Sequence, residues 1–185
     1  EVPPVHMVMF EENARNLSAV LQALDPQRRL SIIALGRPDS MLRVHEALEA
    51  GGIVGMLPDR LLDDSADAAD CRSLPFLGTM ARFPIGPFRM AALMRRPILL
   101  QLGLYEGGNR YRVVIEELAD FSQVDRRDRA ERAEQALKTY VERLEFHARK
   151  GPYNWFNFYD YWGEDDAAGD TAQRSRTWKD SGRAA

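Results

Sequence analysis

The first third of the chain constrains the fold most. Three short apolar runs, "VHMVMF" (5–10), "RLSIIALG" (29–36) and "GIVGMLPD" (52–59), alternate with two stretches of a different rhythm. In "NARNLSAVLQAL" (13–24), Leu17, Val20, Leu21 and Leu24 recur at helical spacing, with Asn13 placed to cap the start. In "DSMLRVHEALEAGG" (39–52), Met41, Leu42, Val44 and Leu48 form an inner stripe. Asp39 or Ser40 is the expected cap, and Gly51-Gly52 the stop. Strand, helix, strand, helix, strand at this spacing is an α/β unit. Strands that are apolar throughout predict a parallel sheet covered on both faces.

Beyond residue 60 the pattern changes. "DDSADAAD" (63–70) is polar and loop-like. "SLPFLG" (73–78) predicts a short edge or irregular strand, because Pro75 cannot donate to a ladder. "GPFRMAALMRR" (86–96) predicts a helix with Pro87 near its first position. Residues 97–118 predict a hairpin turning at Glu106-Gly107-Gly108-Asn109. Residues 128–150 give the clearest helix, with Ala130, Ala133, Ala136, Leu137, Tyr140, Val141 and Leu144 on one face and Arg and Glu on the other. Gly151-Pro152 ends it. The aromatic run "YNWFNFYDYW" closes the domain, with contact to anionic lipid, alongside Arg95 and Arg96, as the other use of such a patch. The expected organisation is one α/β domain over 1–162 and a disordered tail over 163–185, which is polar and poor in apolar residues. The fold class is α/β, with a mainly parallel central sheet flanked by helices, a C-terminal β-hairpin and a long amphipathic helix.

Charge and cysteine usage remove several function classes. A formal charge of -3 gives no general attraction to nucleic acid. Cys71 is alone, so it forms no internal disulfide, and no Cys/His spacing suits zinc. No apolar run reaches the roughly 18–20 residues of a spanning helix. With no basic leader at Glu1, the simplest expectation is a cytoplasmic chain. The absence of an initiator Met points to processing or to a fragment.

The candidate site starts where the third apolar run ends on Pro58, Asp59 and Arg60. Ligands of open parallel sheets collect beyond the carboxyl ends of the strands, which gives Asp59 and Arg60 a use beyond ending a strand. The ordinary alternative is a polar loop tied by an Asp–Arg pair. Further on, the turn Phe83-Pro84-Ile85-Gly86-Pro87 starts a helix, where free backbone N–H groups can hold a phosphate or an oxyanion. Arg82 and Arg89 flank it, and with Arg60 they make a guanidinium set suited to phosphate. The alternative is a rigid turn with favourable helix-end charges. None of the three histidines stands out as a base. His6 and Glu11 have His-x4-Glu spacing, but five residues along a strand place them on opposite faces. His45 is expected in solvent, and His147 at a helix end. A Ser-His-Asp triad, a dinucleotide loop and a P-loop are absent from the motifs.

Four segments in order, "LEAGGIVGMLPDR", "LPFLGTMARFPIGPFRMAALMRRPILL", "YRVVIEEL" and "YVERLEFHARKGPYNWFNFYDYW", resemble the lipid A late acyltransferases of the lysophospholipid acyltransferase superfamily. The resemblance covers residues 5–162. It implies transfer of an acyl group from acyl-CoA or acyl carrier protein to a hydroxyl of a lipid or related acceptor. It also implies a place in lipid metabolism, cytoplasmic or peripheral at the inner membrane, with no cofactor and no metal. Asp59 and Arg60 match the family's strand-end position, where Arg stands for a more usual Gln, and the resemblance gives them the catalytic locus. Phe83, Gly86, Pro87 and Arg89 match the later Pro-Gly turn and are the implied substrate-binding residues. The family's His-x4-Asp/Glu base lies upstream of a strand like "VHMVMFEENARN". The chain therefore corresponds to a C-terminal portion without that motif, expected to lack acyl transfer by itself. The alternative is a non-catalytic binding domain of the same fold.

Overall fold

The computed structural model describes residues 3–10, 30–35, 37–59, 70–155 and 161–162. Strand β1 (Val5–Phe10) is central in a parallel sheet, between β2 (Leu30–Leu35) and β3 (Ile53–Gly55). Its register sets His6 opposite Ser31 and Val54, and Val8 opposite Ile33. Alternation then puts His6, Val8, Ser31, Ile33 and Val54 on one face of the sheet. Helix α1 (Ser40–Glu49) covers that face, and Val44 and Ala47 bury against Val8 and Ile33.

The start of α1 differs from expectation. Asp39 occupies the cap position without a side-chain bond to the helix. Ser40 is buried instead, its hydroxyl donating to the Ala34 carbonyl at 2.6 Å and accepting from the Arg37 N–H at 3.2 Å. The hydroxyl thus ties the helix to the end of β2. The inner stripe is Ser40, Val44 and Ala47, while Met41 and Leu42 face outwards, 46% and 57% exposed. The helix ends as expected: Gly51 has φ 81°, and the Gly52 N–H reaches back to the Ala47 carbonyl at 2.9 Å.

Parallel pairing is confined to these three strands among the described residues. The other four form two antiparallel hairpins, because connections of two residues cannot make the crossover that parallel neighbours require. Strands β4 (Cys71–Phe76) and β5 (Thr79–Pro84) meet at Leu77-Gly78, both with positive φ, 55° and 96°. The segment expected as a short edge or irregular strand at 73–78 is the short edge form, starting two residues earlier and ending at Phe76. Pro75 sits opposite Met80 in a full ladder, and a two-stranded ribbon leaves one side of each strand where no N–H is needed. Strands β6 (Ile98–Gly107) and β7 (Arg110–Ala119) turn at Gly108-Asn109, again with positive φ at both positions.

Helix α2 (Gly86–Met94) follows β5 directly, and α3 (Arg129–Lys150) runs to a short 3-10 turn at Pro152–Asn154. Ala133, Ala136, Leu137, Tyr140, Val141, Leu144, His147 and Ala148 are the buried face of α3. They close on Phe76, Phe83, Ile85, Phe88 and Phe121 in the larger of two apolar clusters among the described residues. Trp155, Tyr161 and Trp162 cover its end, with the Trp162 indole donating to the Phe76 carbonyl at 3.2 Å. Those members of the aromatic run serve core closure, while Tyr153 is 93% exposed. The expected helix at 13–24 and the tail at 163–185 lie outside the described residues.

Candidate functional site

After β3 the chain passes Met56, Leu57 and Pro58 to Asp59, which is half-buried, while Arg60 lies outside the described residues. The Asp59 carboxylate acts on Tyr140, from the middle of α3. Burial first, then the negative charge of Asp59, then Tyr161 push the Tyr140 phenol well above its ordinary range. Tyr140 therefore stays protonated, its phenol within the field of the Asp59 charge. Phe83 meets its ring edge-on at 6.4 Å between centroids, and Phe88 packs on it at 5.6 Å.

Phe83 and Phe88, on either side of the β5–α2 turn, thus pack on one buried phenol that also feels the charge of Asp59. Phe83 reaches this locus as a core residue with no exposed surface, so its ring shapes the locus from behind. Tyr140 was legible only as one apolar position in a helical stripe. The signal for more was its hydroxyl, since a buried tyrosine usually brings its polar end to a partner.

The turn itself offers fewer N–H groups than its sequence suggests. Pro87 has none. The Phe88 and Arg89 N–H groups both donate to the Ile85 carbonyl at 3.1 Å, and that of Ile85 donates to the Asp70 carbonyl at 2.9 Å. At most the Gly86 N–H is left for a ligand, so this helix end is no anion cradle. Among the described residues nothing but its own chain neighbours lies within 4 Å of the position a Cβ on Gly86 would take. A bulky group can approach the backbone there.

Arg89 is half-exposed, 3.8 Å from both Asp70 and Glu134. Glu134 in turn accepts two close bonds from Arg72, at 2.6 and 2.9 Å. Two cations and two carboxylates therefore offset each other beside the start of α2. Arg82 projects from β5 on the face opposite its buried neighbours Ala81 and Phe83. Arg60, the third member of the expected guanidinium set with Arg82 and Arg89, lies outside the described residues.

The three histidines lie apart from Asp59's locus. His45 is exposed on α1. His147 is buried and bonds Glu116 on β7 at 2.9 Å, while Arg143 grips the same carboxylate through Nε at 2.6 Å and Nη2 at 2.7 Å. Arg143 first, and His147 second, hold the Glu116 carboxyl down to about 2. This places His147 in a three-residue tie between α3 and the second hairpin rather than at a free helix end. His6 Nδ1 lies 2.6 Å from the Ser31 hydroxyl on the neighbouring strand. Its sequence partner Glu11 lies outside the described residues.

Among the described residues no group of three or more His, Cys, Asp or Glu side chains is placed to hold a metal ion, and no helix is long and apolar enough to cross a membrane. No protein-family model matches the chain, and no curated protein matches it significantly.

Proposed function

We propose that the chain forms the acceptor-side and donor-side walls of an acyltransferase, which moves an acyl group from acyl-CoA or acyl carrier protein to a hydroxyl of a lipid or related acceptor. The observation that supports this reading is that Phe83 and Phe88 pack on Tyr140, a phenol that the charge of Asp59 also reaches. The strand end at Asp59 and the Phe83–Phe88 turn are the two segments the resemblance assigns to one site. Asp59 accepts a hydrogen bond from the acceptor hydroxyl. Arg60 supplies a cation for a phosphate or carboxylate of donor or acceptor. Gly86 and Pro87 give the thioester a close approach to backbone, with Arg89 at the rim. The setting is the cytoplasmic side of the inner membrane, approached peripherally.

One observation favours a second reading, a binding domain of this fold that carries out no chemistry: no histidine stands beside Asp59 among the described residues. One pair of measurements tests both. Calorimetry of residues 1–185 with a long-chain acyl-CoA, and with an acyl carrier protein, should show binding that Arg89→Ala weakens more than tenfold, or about 1.4 kcal/mol. Thiol release in the presence of a lipid hydroxyl acceptor then separates enzyme from binding domain. A folded chain that binds neither donor removes both readings.

A further inference from the structure

A second set of reactive groups lies at the other end of the parallel strands. An open groove of about 310 Å³ is lined by His6, Ser31, Ile33, Arg43, Glu46 and Ala47. His6 and Ser31 are the second residues of β1 and β2 and sit directly opposite in register, at the amino ends of the strands. Asp59 follows the carboxyl end of β3, so the groove is separate from the locus at Tyr140.

The imidazole is fixed from two sides. Nδ1 is 2.6 Å from the Ser31 hydroxyl. The ring also lies on Gly52, where a Cβ would stand 3.0 Å from both Cδ2 and Nε2. A Cβ there would press on the ring and stand 2.8 Å from the Ala47 carbonyl oxygen. With its proton on Nε2, the imidazole takes the Ser31 hydroxyl hydrogen bond on the Nδ1 lone pair, which is the arrangement of a nucleophile and its base. Arg43 and Glu46, three residues apart on α1, bring a cation and a carboxylate to the same groove.

We propose that Ser31 is an activated nucleophile, with His6 as its general base, in a groove that accepts small carboxylic esters. The Ser31 oxygen bonds to the ester carbonyl carbon while its proton passes to His6 Nδ1. Arg43 offers positive charge to the oxyanion, and Glu46 offers negative charge to the imidazolium. The ester C–O bond breaks and His6 returns the proton to the departing alcohol. Water repeats the sequence on the acyl-serine, releasing the acid and restoring the hydroxyl. This site stands independently of the acyl-transfer reading.

An alkyl fluorophosphonate tests it on the full chain. Attack by Ser31 forms an O–P bond, breaks the P–F bond and releases fluoride, with the hydroxyl proton taken by His6. Mass spectrometry should find the phosphonyl group on the peptide holding Ser31. Ser31→Ala should remove it, His6→Gln should slow it at least tenfold, and His45→Ala should leave the rate unchanged. Treating the folded wild-type chain with diethylpyrocarbonate gives a test free of variants, because loss of labelling should track modification of His6 rather than His45. A folded wild-type chain left unlabelled at Ser31 overturns the proposal. So does labelling whose rate is indifferent to the state of His6, which would leave the pair as a strand-to-strand hydrogen bond only.

Discussion

Glu116 takes charge-assisted bonds from two side chains of α3, and its ionisation couples the second hairpin to the long helix. Its carboxyl is lowered from 4.5 to about 2, chiefly by Arg143 and then by His147. A depressed acid binds its proton more readily in the unfolded chain. Its contribution to stability is therefore complete above about pH 4.5 and is lost as pH falls towards 2. Unfolding of the wild type and Glu116→Gln should accordingly differ most at neutral pH. The gap should narrow steadily between pH 4.5 and 2, the window set by those two values. A gap that does not change with pH would place the stabilisation in packing rather than in charge. Nothing in the local sequence marks this tie. Glu116 and His147 are 31 residues apart, and only the register of β7 against α3 brings them together.

At the scale of elements, two glycines separate conformation from function. Gly78, in the β4–β5 turn, has φ 96° and open space where a Cβ would stand, so Gly78→Ala meets only backbone strain. Such strain costs on the order of 1–3 kcal/mol, and the midpoint of denaturant unfolding should fall accordingly. Gly86 has the same open space at the start of α2 without a positive φ. Ala there should leave stability unchanged or raise it by up to about 1 kcal/mol, since Ala is the better helix former. If the thioester approaches this backbone, the same substitution should weaken acyl-CoA binding in calorimetry. Unaltered donor affinity would move the donor away from Gly86. The two turns also explain what was legible in the sequence. Glu106-Gly107-Gly108-Asn109 announces its hairpin, because Gly and Asn suit positive φ. Leu77-Gly78 does not, since leucine rarely adopts φ 55°. Its compensation is tertiary: Leu77 packs against the core, and its N–H donates to Glu145 of α3 at 3.1 Å. Asp59 was legible from the end of an apolar run, and the turn at Gly86 from its prolines. Tyr140, on which Phe83 and Phe88 pack and whose phenol feels the charge of Asp59, was hidden, because helical periodicity reports which face is buried and not what that face meets.

Across the whole molecule, α2 touches both of the apolar clusters that the described residues form. Phe88 and Ala92 lie in the larger one with Leu137 and Phe121. Met90 and Met94, on another side of the same helix, pack against Val8, Ile33, Val44 and Ala47 in the smaller one. The Arg96 ion pair with Glu49 adds a polar link between the end of α2 and α1. A helix shared in this way should make the parallel sheet and the α3 core unfold together, because neither cluster keeps its packing once α2 leaves. Leu137 tests this from one side, being fully buried in the larger cluster and remote in sequence from β1. Leu137→Ala should cost about 2–5 kcal/mol through lost burial and the cavity left behind. Hydrogen exchange reads where that loss is felt. Protection at the Val8 and Ile33 amides should fall by as much as at the Val114 and Leu118 amides of β7. Reduced protection in β7 alone, with β1 unchanged, would show that the two clusters open as separate units and that α2 rides with only one of them.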